Sequence, residues 1–131
     1  MKAKICGISD LKTLRHITNH TNPPSFIGFI VNYPKSKRYV RLKDLGNLLK
    51  INKKKINYVA VLVKPNDKFL KKIRNLNFDY YQLYDVNPQR TFEIKKKYKI
   101  KIISAITIKN LMDLEAFKDY LNISDIILLT A

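Results

Sequence analysis

Cys6 is the only cysteine in the 131 residues, and a thiol is the most reactive side chain this sequence offers. A lone cysteine excludes an internal disulfide and a Cys-rich zinc site. Two readings of it stay open: a chemically active thiol, or a small inert core residue. Lys4 precedes it by two positions, so on a strand the two share a face, roughly 6–7 Å apart. His16 and His20 are four apart on a predicted helix, a spacing that can bind a metal. No third ligand is evident, and surface histidines are the reading we adopt. Tyr33–Tyr39 is a basic, proline-marked loop carrying Lys35, Lys37 and Arg38. Lys35 and Lys37 read as solvated, adding to the steering of an anionic ligand.

These residues need elements to position them. Lys2–Cys6 reads as a short strand, and Ser9 or Asp10 can cap a helix running to about Asn19, where Leu11, Leu14 and Ile17 recur at helical spacing. Phe26–Asn32 is a second apolar run, with Gly28 where a backbone can approach closely. Arg41–Lys50 is predicted helical, with a stripe of Leu42, Leu45, Leu48 and Leu49. Tyr58–Val63 is a strand rich in β-branched residues. A helix over Asp67–Leu76, a strand over Tyr80–Leu83 and a helix over Pro88–Tyr98 follow, Pro88 falling where a missing N–H costs little. Lys101–Ile106 is a strand, Lys109–Tyr120 a helix and Ile126–Leu129 a last strand. The fold class is therefore α/β, a β-α unit repeated five times and then a strand. Apolar strands each followed by a helix indicate a parallel sheet covered by helices. Two architectures remain, an open doubly wound sheet and part of a (βα)8 barrel. A complete barrel needs at least about 200 residues, so the second would be incomplete: five and a half units in one partial domain over 1–131.

Composition narrows the function classes. Hydrophobic residues make up 46%, ample for a core. No apolar run approaches the ~20 residues needed to span a bilayer, and Met1–Ile8 lacks the apolar stretch of a signal peptide. A reduced, cytoplasmic setting is expected. The net charge of +16 invites a nucleic-acid reading. However, Lys, Ile and Asn together supply 50 residues. These types share A/T-rich codons, so the excess is open to a reading as a genome's base composition. The only tight runs, Lys53–Lys55 and Lys95–Lys97, lack the interleaved aromatics of a single-strand binder. The charge is thus read as a solvated face and not as the footprint of a nucleic-acid partner.

Three segments in order decide the reading. Lys4-Ile5-Cys6-Gly7-Ile8, then Gly28-Phe29, then Pro34-Lys35-Ser36-Lys37-Arg38-Tyr39-Val40 resemble the phosphoribosylanthranilate isomerase family of tryptophan biosynthesis. The resemblance continues through Tyr58–Val63 and Gln82-Leu83, spans essentially the whole chain, and matches the first two-thirds of the family's length. It implies a (βα)8 barrel with no metal or organic cofactor, a small anionic phosphosugar as substrate, and an Amadori rearrangement of an aminoaldose to an aminoketose phosphate. It further implies that Cys6 is the general base and that Arg38 holds the anthranilate carboxylate, to which a planar guanidinium is suited. A base must be a thiolate, and an ordinary thiol, with pKa ~8.5, is mostly protonated at neutral pH. The charge of Lys4 is expected to favour the thiolate.

The sequence also departs from the family. The general acid of the family is an aspartate ending the sixth strand; Ile127-Leu128-Leu129-Thr130 offers Thr130 there, a far weaker acid. The Gly-rich phosphate loops of a seventh and eighth strand are not among these residues, so the chain reads as truncated and weak or inactive alone. Gln82-Leu83-Tyr84-Asp85 stands where the family has Gln-Leu-His-Gly, and Asp85 reads as a helix-capping or solvent-facing acid. Asp125 precedes the last strand and should lie at the opposite, N-terminal face. Two other functions stay open: a basic nucleic-acid-binding module, and a homo-oligomer in which partial barrels cover each other's edges.

Overall fold

The computed structural model describes residues 2–131. Six strands, β1 (Lys4–Cys6), β2 (Phe26–Ile30), β3 (Asn57–Val63), β4 (Tyr80–Tyr84), β5 (Lys101–Thr107) and β6 (Ile126–Thr130), form one sheet in the order β1 to β6. Every neighbouring pair is parallel. A doubly wound sheet would reverse its strand order part-way. This one never does, so successive crossovers put all the helices on the same, convex face, as in a (βα)8 barrel. The sheet is the six-stranded part of such a barrel, with β1 and β6 at its edges.

Strand alternation sorts the side chains. Outward residues such as Ile27, Phe29, Tyr58, Leu62, Leu83 and Ile102 are buried beneath Leu14, Leu45, Leu70 and Ile94 of the helices. The inward face is smaller and centres on Val59, Val61 and Ile103, with Cys6, Phe26, Tyr84 and Leu128 packed around them. Both faces are thus apolar, which is why these strands read as continuous hydrophobic runs.

The helices begin where short polar side chains satisfy free amides. The Asp10 carboxylate accepts from Thr13 N at the start of α1 (Leu11–Thr18). α2 (Leu42–Leu49) follows Arg41. Asn66, Asn87 and Asn110 cap α3 (Asp67–Ile73), α4 (Pro88–Tyr98) and α5 (Leu111–Ala116) in the same manner. Two helices differ from expectation. α3 stops at Ile73, short of Leu76, because Asn75 and Asn77 favour turns, and Leu76 N donates to Ile73 O. The helix expected over Lys109–Tyr120 breaks into α5 and a 3₁₀ turn, Phe117–Tyr120. None of its residues is buried, so no packed stripe enforces one helical period. The hydroxyl of Tyr120 donates to Val86 O (2.6 Å) and pins that turn.

One device recurs at the N-terminal ends of the strands. Asp79, just before β4, donates its N–H to Tyr58 O and accepts from Tyr58 N on β3, while also pairing with Lys53. Asp125 does the same before β6, with Ile102 of β5 and Lys95. Burial would raise the Asp125 carboxyl, but the Lys95 ammonium and the Ile102 amide together hold it below the usual range. Asp125 therefore lies at the N-terminal end of the sheet, with a structural role. No helix among the described residues is long and apolar enough to cross a membrane.

Candidate functional site at the C-terminal rim

β1 ends at Cys6 and the chain turns at once through Gly7, whose φ is +84°. Gly7 N and Ile8 N both donate to Gly28 O, tying the turn to β2. Cys6 pairs in register with Gly28, and it is only half-buried. The missing side chain at Gly28 leaves space over β2. A Cβ placed there would lie 3.1 Å from Lys4 Nζ and 3.3 Å from Cys6 Sγ. The amine and the thiol therefore flank one point on the concave face, as the spacing of Lys4 and Cys6 anticipates.

The loop after β2 returns across the rim. Val40 N donates to Ile30 O (2.8 Å), and inside the loop Ser36 N donates to Tyr33 O and Tyr39 N to Ser36 O. Asn32 fixes the loop's root by exchanging two hydrogen bonds with the Val63 backbone on β3. This path brings Arg38 over Gly7, where its Nη1 donates to the backbone oxygen of Cys6 (3.1 Å). The guanidinium is otherwise exposed and has no carboxylate partner among the described residues.

A cavity of about 300 Å³ opens at this place, lined by Cys6, Tyr33, Ser36, Arg38, Val61 and Tyr84. That volume is at the lower end for a small-molecule site. A thiol, a guanidinium and a phenol converge on it over an apolar floor. Such a set can bind an aromatic carboxylate and move one proton. A second hollow of about 180 Å³ lies lower on the concave face, between Lys4, Phe26, Gln82 and Leu128.

The other sequence candidates lie elsewhere. Thr130 ends β6 on the same rim but at the opposite edge of the sheet, its hydroxyl donating to Thr107 Oγ1 (3.4 Å). Asp85 is exposed, with φ +55°, and it is Asn87 that caps α4. His16 and His20 are exposed with ring centroids 6.4 Å apart, and no group of three metal-binding side chains occurs among the described residues. Lys35 and Lys37 are exposed. Sequence reasoning missed Tyr33, Ser36 and Val61 as lining residues. For Val61 a signal existed, since it shares the inward alternation of β3 with Val59; Ser36 stood in the family-like loop segment without an assigned role, and Tyr33 carried no signal.

An all-parallel (βα) sheet with a cavity at the C-terminal ends of its strands defines the class of (βα)8-barrel proteins, whose sites sit on that rim. The model of the N-(5'-phosphoribosyl)anthranilate (PRA) isomerase family matches residues 3–130, and the chain belongs to that family. It is 33% identical to the N-(5'-phosphoribosyl)anthranilate isomerase of Sinorhizobium medicae over 99% of this chain and 60% of that protein. The enzyme of the same name from a Sulfurihydrogenibium species is 34% identical over 93% of this chain and 57% of its own. The crystal structure of the Thermotoga maritima enzyme superposes with a TM-score of 0.84 at 26% identity, covering 98% of this chain and 60% of that one. A family structure in complex with reduced 1-(o-carboxyphenylamino)-1-deoxyribulose 5-phosphate superposes with a TM-score of 0.85 at 26% identity, over 98% of this chain and 64% of that one. The chain thus spans about 60% of the length of the curated relatives it matches.

Proposed function

We propose that this chain carries the carboxylate-binding and proton-abstracting part of a phosphoribosylanthranilate isomerase site. The reaction would convert N-(5'-phosphoribosyl)anthranilate into the carboxyphenylamino-deoxyribulose phosphate. In it an acid protonates the furanose oxygen, the C1–O bond opens to a Schiff base, and a base takes the proton from sugar C2. The resulting enolamine tautomerises to the ketone. Cys6 is the base in this reading and Arg38 grips the anthranilate carboxylate. Thr130 holds the acid's position without a carboxyl group, so turnover by this chain is expected to be weak. A biosynthetic isomerase of this kind fits a cytoplasmic setting.

The observation that carries the reading is the 3.1 Å bond from Arg38 to the Cys6 backbone. It ties the guanidinium to the backbone of the residue that carries the thiol, and both side chains line one cavity; this supports a reading in which a carboxylate held by the first sets the attached sugar near the second. Titration of the purified chain with reduced 1-(o-carboxyphenylamino)-1-deoxyribulose 5-phosphate, followed by calorimetry, tests it. Saturable binding that Arg38→Met weakens at least tenfold is expected. No saturable binding at millimolar ligand, or binding indifferent to Arg38, would overturn the reading.

A further inference from the structure

Tyr84 is the last residue of β4 and faces inward over the same cavity as Cys6 and Arg38. Its phenolic oxygen already accepts a hydrogen bond, from Gln82 Nε2 at 3.1 Å. A phenol has one proton to give, and no acceptor among the described residues takes it. With the oxygen held by the amide, that proton is left for whatever occupies the cavity.

Gln82 strengthens the argument. It is 1% exposed and sits in register between Val61 and Ile103, in the apolar inward layer. A buried amide among aliphatic side chains is costly unless its groups are bonded. Here the Oε1 atom has no partner, and the bond to Tyr84 is the one the side chain makes. A leucine would fill the space without that cost. The bond it does make fixes the phenol over the cavity.

We infer that Tyr84 is a substrate-binding residue, donating its phenolic hydrogen bond to an oxygen of the sugar-phosphate part of the bound aminosugar adduct, and that Gln82 is its positioning residue. The choice of that part follows from the chemistry of the ligand. Its carboxylate is taken by Arg38, its aromatic ring offers no oxygen and its arylamine nitrogen is a poor acceptor, so the sugar and phosphate oxygens remain. The inference rests on the isomerase reading above.

Two probes separate the two ideas: anthranilate alone, and the reduced carboxyphenylamino-deoxyribulose phosphate, which carries the sugar. Tyr84→Phe should weaken the sugar-bearing probe about five- to tenfold, the size of one hydrogen bond, and leave anthranilate unaffected. Tyr84→His, which keeps a donor, should recover part of the loss. Gln82→Leu should weaken the sugar-bearing probe less than Tyr84→Phe, and the double variant should be no worse than Tyr84→Phe alone. A purely structural role for Tyr84 would weaken both probes together, and would overturn the inference. Equal affinity of parent and Tyr84→Phe for the sugar-bearing probe would overturn it too, leaving the isomerase reading intact. Failure of the parent to bind that probe at all would overturn both.

Discussion

The guanidinium of Arg38 lies where a side chain on Gly7 would have to be. A Cβ built on Gly7 would come within 2.7 Å of Arg38 Nε and 2.8 Å of its Cζ. Gly7 also has φ +84°, a region that costs an L-residue about 1–2 kcal/mol. Gly7→Ala should therefore destabilise the chain by about that much and push Arg38 off the cavity. Urea unfolding should show the first effect. The second should appear as a loss of carboxylate-ligand affinity comparable to that of Arg38→Met. Wild-type affinity in a folded Gly7→Ala chain would show that Arg38 does not depend on this contact.

Lys4 Nζ and Cys6 Sγ flank the bare Cα of Gly28, where a Cβ would crowd both. An ammonium near a thiol draws an anionic reagent toward it. Alkylation of Cys6 by iodoacetate at neutral pH should be several-fold slower in Lys4→Met than in the parent. Gly28→Ala should shift the lysine terminus, since its flexible end can yield, and slow alkylation to a smaller degree. Equal rates in parent and Lys4→Met would remove the electrostatic role of Lys4.

Much of this was legible in the residues, for reasons particular to each element. The strands showed because parallel β-structure buried on both faces demands runs such as Val59–Val63. α4 was readable to its ends because Asn87 and Pro88 mark its start and Lys99, with φ +49°, takes the left-handed conformation that closes it. α5 was not, because its length depends on packing, and Leu111 and Met112 are each 80% exposed. At the site, the pairing of Lys4 with Cys6 followed from strand period alone. The approach of Arg38 to Cys6 did not, being set by loop hydrogen bonds over a separation of 32 residues. The resemblance supplied that partner, and it also marked Asp85 as standing where the family has glycine. The left-handed backbone there, φ +55°, is the physical reason for a glycine, and aspartate is among the residues that tolerate it.

On the convex side, Asp67 gathers the hydroxyl of Tyr98 (2.6 Å), Arg90 (3.2 Å) and Lys97 (3.5 Å), linking α3 to α4. The Tyr98 hydrogen bond, with the Arg90 bond and the two cations, outweighs desolvation and draws the carboxyl down from 3.8 to about 2. A depressed carboxylate contributes stability that is fully present above its unfolded pKa and disappears as pH falls through the folded one. Asp67→Asn should thus destabilise the chain at neutral pH, with the gap to the parent closing between about pH 4 and pH 2. Acid titrations followed by circular dichroism would show this. A gap independent of pH would mean that packing, and not charge, ties the two helices.

Thr130 stands at the C-terminal end of β6, on the rim that holds Cys6; its hydroxyl bonds to Thr107 Oγ1 and its backbone oxygen accepts from Ile108 N. A hydroxyl of this type is too weak an acid to protonate a furanose oxygen, whereas a carboxyl group in the same place would not be. Positioned acid catalysis contributes roughly 10²–10⁴-fold. Thr130→Asp should raise isomerase turnover at least tenfold over the parent, measured on freshly generated N-(5'-phosphoribosyl)anthranilate. The gain should vanish in Cys6→Ala/Thr130→Asp, because in the proposed reaction the acid opens the sugar and Cys6 takes the C2 proton. A gain that survives loss of the thiol would reassign the base. Turnover no higher than the parent's, in a folded Thr130→Asp chain that still binds the reduced product analogue, would show that the end of β6 does not reach the ring oxygen.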